Sequence, residues 1–254
     1  MMIPSNSALS AVSTADSKIA IVITAAGSSS RMGGSVKKEY LPLGKGTLLS
    51  SSARAFVEAS KNPGHPFNIS HMIITVPAKG QAAAAKALSD FFEAASYMKE
   101  KLEFVEGGQS RQKSILNALE HLKKSKDRPD FVLIHDGARP FISPDLIYSV
   151  LQATKEFKAA APGLVPTDTI KVIDKSGFLV QHLERASLTA IQTPQGFSFE
   201  ELYEAHKKAA LDGHDYTDDT EIWGKYLGKV KLVPGQPENK KITYPGDIPG
   251  EAAL

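Results

Sequence analysis

The 254-residue chain has no cysteine. That excludes a disulfide framework and any thiolate zinc site, and it suits a reducing, cytoplasmic setting. No apolar run approaches the roughly 18 residues a helix needs to cross a bilayer. The opening stretch, MMIPSNSALSAVSTADS, lacks both the basic start and the apolar centre of a secretory signal. It has no arginine and it carries Asp16, which argues against a transit peptide, so residues 1–17 are expected to be a disordered tail. Excess charge is missing as well. Thirty Lys and Arg stand against 28 Asp and Glu, for a net charge of +2, which excludes nucleic-acid binding through bulk charge. The basic run HLKKSKDRP is short enough to be a solvated helix end. Any anion site must therefore be built locally.

What is present is a core and a rhythm. Apolar residues make up 42% of the chain, enough for one large α/β domain. Short apolar runs at 18–24, 71–77, 102–108 and 131–136 read as buried strands. Between them, helical spacing predicts helices from Leu48 to Ala59, Gln81 to Lys99 and Arg111 to Lys124. A further helix follows Ser143 as N-cap, with Pro144 at its first position and Asp145 in its first turn. This alternation predicts a Rossmann-like, mostly parallel α/β sheet with helices on both faces. After Pro166 the rhythm changes to strand, turn at Lys175-Ser176-Gly177, and strand. Residues 167–186 thus form a protruding β-hairpin, and the residues by themselves favour an edge ribbon over an arm. Two helices and a last strand at KVKLVPG complete a single domain over 18–248, with no internal repeat.

In open parallel sheets ligands bind beyond the carboxyl ends of the strands, here after Thr24, Val105, Ile134 and Val165. The first of these loops is IVITAAGSSSRMGGSVKKEYLPLGKGTLL. Its small residues, Ala25, Ala26 and Gly27 onward, allow close backbone approach to a ligand and offer N–H groups to an anion, while Arg31 and Lys38 supply full charges. Neither the Walker pattern nor the dinucleotide fingerprint is present. EGGQSRQKS places Gly107 and Gly108 between a strand and a helix N-terminus at Ser110. HDGARP sets Asp136 and Arg139 at a strand end, where a metal-bound phosphate or a sugar hydroxyl can be met. Asp168-Thr169, Arg185, QTPQGF, YTDDT with Thr217 as an N-cap candidate, and Lys241 each also admit a purely local explanation.

Taken together, AAGSSSRM, KKEYLPL, GGQSRQKSI, VLIHDGARPFI, DTIK, ER, QTPQGF, TDD and NKKIT, in that order from about Lys18 to about Ile248, make the chain resemble the 2-C-methyl-D-erythritol 4-phosphate cytidylyltransferases of the non-mevalonate isoprenoid pathway. The resemblance implies a Mg2+-dependent nucleotidyltransferase that joins CTP to 2-C-methyl-D-erythritol 4-phosphate and releases pyrophosphate. It implies that Arg31 and Lys38 are the catalytic pair on the α- and β-phosphates, with Lys241 a third catalytic cation that also meets the acceptor. Ala25, Ala26, Gly27, Gly108, Ser114 and Asp136 fall at nucleotide-binding positions, and Asp136 is the candidate metal ligand where the CTP phosphates do not hold the ion alone. Arg139, Thr169, Arg185 and Thr193 fall at acceptor-binding positions. The hairpin becomes a dimerisation arm that carries Thr169 and Arg185 into a neighbour's site, so a cytoplasmic homodimer is expected.

Several positions depart from the family pattern. Ser29 stands near a usual glycine, Lys37-Lys38-Glu39 replaces Pro-Lys-Gln, Gln109 replaces an acidic residue, and Gly137 replaces alanine. Lys37 is thereby a competitor for the phosphates and Glu39 an added negative charge. These changes point to altered affinity rather than lost chemistry. Two rival readings are a cytidylyltransferase for ribitol 5-phosphate or another polyol phosphate, and a nucleotide-binding module without turnover.

Overall fold

The computed structural model describes residues 17–27 and 36–248. The expected tail up to Asp16 and the positions of Ser29 and Arg31 lie outside those residues. Strand β1 (Lys18–Thr24) opens the fold, and a small hairpin of β2 (Pro42–Leu43) and β3 (Gly46–Thr47) leads into α1 (Leu48–Ser60). Then come β4 (Asn68–Val76), α2 (Gln81–Ala87), α3 (Ser89–Ala94), β5 (Leu102–Glu106), α4 (Arg111–Lys124), β6 (Phe131–Asp136), α5 (Pro144–Phe157) and β7 (Ala159–Leu164). The chain leaves for the hairpin β8 (Lys171–Ile173) and β9 (Leu179–His182). It returns through β10 (Ala190–Ile191), β11 (Gln195–Ser198), α6 (Phe199–Ala209), α7 (Asp219–Tyr226) and β12 (Lys231–Pro234).

The central sheet runs β7–β11–β6–β1–β4–β5, with β10 and β12 also paired to β7. The pairings of β1 with β4 and β6, of β4 with β5 and of β7 with β12 are parallel. β11 runs antiparallel between β6 and β7. The β1 sequence explains its central place, because a parallel strand covered on both faces must be apolar throughout. Ile19, Ile21 and Ile23 pack with α1, α3 and α5, while Ala20 and Val22 pack with α4, α6 and Trp223. Each fully buried isoleucine contributes about 1.5–3 kcal/mol of transfer free energy.

Helix starts follow their caps. Ser110 accepts from Lys113 N at 3.1 Å and Ser143 from Leu146 N at 3.1 Å. Two expectations are corrected. The helix expected from Gln81 to Lys99 is broken into α2, α3 and a 3-10 turn at Ser96–Glu100. Its apolar face stays inward, with Leu88, Phe91 and Met98 all buried. The breaks are tertiary: the Thr47 hydroxyl captures the Ala87 carbonyl at 2.8 Å, and Asp90 is tied to Ser50 and Arg54 on α1. The N-cap of α7 is Asp218, not Thr217, whose N–H and hydroxyl both go to Glu221.

The hairpin is not an edge ribbon. β8 and β9 form their own two-stranded sheet apart from the central one. The hairpin carries exposed apolar side chains, Ile173 on β8, Phe178 in the turn, and Leu179 and Val180 on β9.

Candidate active site

Strand register brings three residues to one line at the carboxyl end of the sheet. Thr24 lies opposite Thr75 on one side and Asp136 on the other. Above them opens a cleft of about 520 Å³. Its walls come from Ala26 and Gly27 after β1, Gly108 to Arg111 and Ser114 after β5, and Asp136 to Ala138 after β6. Lys38, Glu39, Lys241 and Thr243 close it from elsewhere in the chain. The segment after β7 does not line the cleft; it leads into the hairpin.

Asp136 is the electrostatic centre. Lys241 Nζ lies 2.7 Å from its Oδ2, Arg139 Nε 3.8 Å from the same oxygen, and Arg111 Nε 3.9 Å from Oδ1. The Thr24 hydroxyl donates to Oδ1 at 3.3 Å. Burial opposes ionisation of this carboxyl, but the charges of Lys241, Arg111 and Arg139 outweigh burial and hold its pKa well below the usual carboxylate range.

Lys241 reaches this point because its segment is stitched to three others. Ile242 N–H donates to the Ala138 carbonyl at 2.8 Å, and Lys38 Nζ donates to the Ile242 carbonyl at 3.2 Å. Asn239 Nδ2 donates to the Thr193 carbonyl at 2.8 Å, and Gln192 Nε2 donates to the Gln236 carbonyl at 2.8 Å. Lys38, far earlier in sequence, thereby stands beside Lys241. His135 anchors the same region from below. Its Nε2 faces the Arg139 carbonyl at 3.1 Å, so Nε2 carries the proton and Nδ1 accepts from the Thr193 hydroxyl at 3.0 Å. Burial pushes the His135 imidazole down to about 4 and keeps it neutral, against the pull of the Arg139 carbonyl and Asp136.

The far end of the cleft is shaped by backbone. A Cβ on Gly107 would come within 2.4 Å of Ala26 Cβ, so only glycine lets the two loops touch. The Ser114 hydroxyl accepts from Gly108 N at 3.0 Å and donates to the Ser110 carbonyl at 2.8 Å, which fixes this turn. At Gly137 a Cβ would meet the Thr24 carbonyl at 3.0 Å, so the alanine usual in the resembling family requires a small adjustment here.

The structure therefore brings together Ala26, Gly27, Lys38, Gly108, Ser114, Asp136 and Lys241. Other residues stand apart from the cavity. Ala25 is buried, and its N–H is spent on Thr75, so it is no anion donor. Arg139 and Thr193 lie behind the wall. Arg139 donates to the Asn239 carbonyl at 2.7 Å, and the Thr193 hydroxyl accepts Asp136 N–H at 3.0 Å. Thr169 and Arg185 bond each other at 2.9 Å on the exposed hairpin, away from this cleft. Lys37, the expected competitor, donates to the Gly27 carbonyl and pairs with Glu39 at 3.6 Å. Sequence reading missed Arg111, although it sits inside the GGQSRQKS motif. A basic residue at the first position of a helix, against the dipole, was the available signal.

The family model for 2-C-methyl-D-erythritol 4-phosphate cytidylyltransferase (IspD) matches residues 19–253. A 2-C-methyl-D-erythritol 4-phosphate cytidylyltransferase of Clostridium beijerinckii is 37% identical over 230 residues, covering 91% of this chain and 95% of that protein. The crystal structure of 4-diphosphocytidyl-2C-methyl-D-erythritol synthase from Anaerococcus prevotii superposes with a TM-score of 0.73 at 26% identity, covering 91% of this chain and 93% of that one. The crystal structure of the Thermus thermophilus cytidylyltransferase gives 0.67 at 29% identity, covering 91% and 95%.

Proposed function

The chain belongs to the 2-C-methyl-D-erythritol 4-phosphate cytidylyltransferase family, and on that footing we propose how its residues divide the reaction. The enzyme is a nucleotidyltransferase that joins CTP and 2-C-methyl-D-erythritol 4-phosphate to give the diphosphocytidyl product and pyrophosphate. A phosphate oxygen of the acceptor attacks the α-phosphorus of CTP, the new P–O bond forms, and the bond to the β-phosphate oxygen breaks. Negative charge accumulates on the equatorial oxygens and on the leaving group, so fixed cations carry the catalysis. The convergence of Lys38 and Lys241 on a cleft centred on Asp136 is the observation that supports this division of roles.

Lys38, with Arg31, holds the α- and β-phosphates. Lys241 orients the acceptor phosphate. Ala26, Gly27, Gly108 and Ser114 receive the base and ribose, with Ala25 supporting that wall from beneath. Mg2+ suits the donor set. Asp136 is one ionised oxygen ligand, and no group of three or more Asp, Glu or His among the described residues would hold a metal without the nucleotide. Asp136 would hold the ion from the protein side and the CTP phosphates would supply the rest, and the bound ion would offset phosphate charge. Arg139 and Thr193 serve the acceptor end by fixing Asp136 and the Lys241 segment.

The exposed apolar hairpin supports a homodimer in which Thr169 and Arg185 complete the neighbour's acceptor site. Such a chain, a single domain over 18–248 without cysteine, suits the cytoplasm; no helix among the described residues is long and apolar enough to cross a membrane.

The test is pyrophosphate release from CTP and Mg2+ with 2-C-methyl-D-erythritol 4-phosphate and, in parallel, ribitol 5-phosphate. Release with the first and not the second is expected. Release with ribitol 5-phosphate alone would overturn the acceptor, and silence with both from folded protein would overturn the catalytic reading.

A further inference from the structure

Arg111 is oddly placed for a structural residue. It is the first residue of α4, where the helix dipole disfavours a cation. Its guanidinium lines the cleft with about a quarter of the side chain exposed, and Nη1 lies 2.7 Å from Asp219 Oδ2. Nε lies 3.9 Å from Asp136 Oδ1, so one guanidinium spans a carboxylate in the cleft and a carboxylate behind it.

Asp219 has no solvent exposure, and it comes from α7, on the other side of the wall. Its second oxygen accepts from His206 Nε2 at 3.0 Å, and that imidazole is also fully buried. Gln195 on β11 fixes the turn, with its Oε1 3.3 Å from Asp219 N and its Nε2 2.9 Å from Asp218 Oδ2. Buried ion pairs add little net stability and are often replaceable by apolar packing. A wholly buried carboxylate braced on two sides, with its cation directed to an anion-binding cleft, is better explained by what the cation does there. A guanidinium carries five N–H donors, more than the Asp219 carboxylate, already shared with His206, can take, so the cleft-lining Arg111 keeps donors to offer a ligand.

We propose that Asp219, backed by His206, is a positioning residue that holds the Arg111 guanidinium in the cleft wall beside Asp136, and that Arg111 contacts the nucleotide. This rests on the cleft being the CTP site. Ser114 stands one turn along the same helix and Asp136 within ion-pair reach, so Arg111 lies between the base end and the phosphate end. Without its buried counter-charge the guanidinium would turn towards Asp136 and disturb the carboxylate that Lys241 also uses.

A double-mutant cycle decides it, using Asp219→Asn, Arg111→Gln and the pair, with kcat/KM for CTP and thermal unfolding both measured. Each single change is expected to lower kcat/KM for CTP by about tenfold or more, the scale of a lost charged hydrogen bond. In the Arg111→Gln background, Asp219→Asn should add no further loss, because it acts only through Arg111. Multiplying losses would overturn the proposal, as would an Asp219→Asn enzyme that melts earlier but keeps its kcat/KM while folded. If Asp219→Asn does not fold, His206→Gln replaces it in the same cycle. A loss that vanishes with Arg111→Gln supports the proposal, and a persisting loss or none overturns it. A wild-type protein that binds no CTP would instead refute the site assignment itself.

Discussion

Lys37 and Lys38 are neighbours in sequence with opposite employment. Lys38 Nζ reaches the Ile242 carbonyl at the cleft, whereas Lys37 is turned to the Gly27 carbonyl and Glu39. The two departures from the family pattern thus neutralise one another: Glu39 is buried and takes the charge of Lys37 instead of opposing the phosphates. Removing a cation from the transition state costs on the order of 10²-fold in rate. Lys38→Ala should therefore lower kcat by about that factor, while Lys37→Ala should change it far less. Steady-state pyrophosphate release checks both, and equal losses would show that Lys37 also serves the phosphates.

At the scale of the element, the hairpin carries two residues that the resemblance assigns to the acceptor, yet in the single chain both stand outside the cleft. Thr169 and Arg185 hold each other at 2.9 Å, outside the cleft. If a partner's hairpin completes the site, Arg185→Ala should raise KM for the acceptor at least tenfold, the scale of a charge-assisted hydrogen bond, and leave KM for CTP nearly unchanged. Parallel titrations of the two substrates test this; an unchanged acceptor KM would detach the hairpin from the site. Caps at Ser110 and Ser143 were legible from sequence because they are local hydrogen bonds. The breaks between Gln81 and Lys99 were not, because Thr47 and Arg54 impose them from another part of the chain.

For the whole molecule, protons and stability are linked through groups buried near the site. An unfolded histidine takes its proton near pH 6.5, but His135 does so only at about 4. The unfolded state binds more protons between those values, so stability should fall as pH drops through that window, by about 3 kcal/mol in full. His71, also lowered by burial, adds in the same direction. Asp136 and Asp219 have depressed pKa values, so their contributions persist down to about pH 4, the ordinary carboxylate value, and are lost below it. Urea unfolding between about pH 7.5 and 4 should show the decline. A His135→Gln variant, which keeps an acceptor for Thr193 and a donor for the Arg139 carbonyl, should remove the larger part of it. An unchanged slope would mean that another group titrates.

The sequence by itself determined the alternation of strands and helices, and it pointed to Ala26, Gly27, Lys38, Gly108 and Asp136 beyond the carboxyl ends of the strands. Hydrophobic period, capping and the ends of parallel strands are local or topological rules that need no distances. Only the tertiary structure decided that Lys241 joins Lys38 at Asp136, that Arg139 and Thr193 brace the site from behind, and that Asp219 and His206 stand behind Arg111. Those outcomes depend on pairing buried charges and polar groups between segments far apart in the chain. No period in the sequence encodes such pairing, because each partner is selected by desolvation in the folded interior.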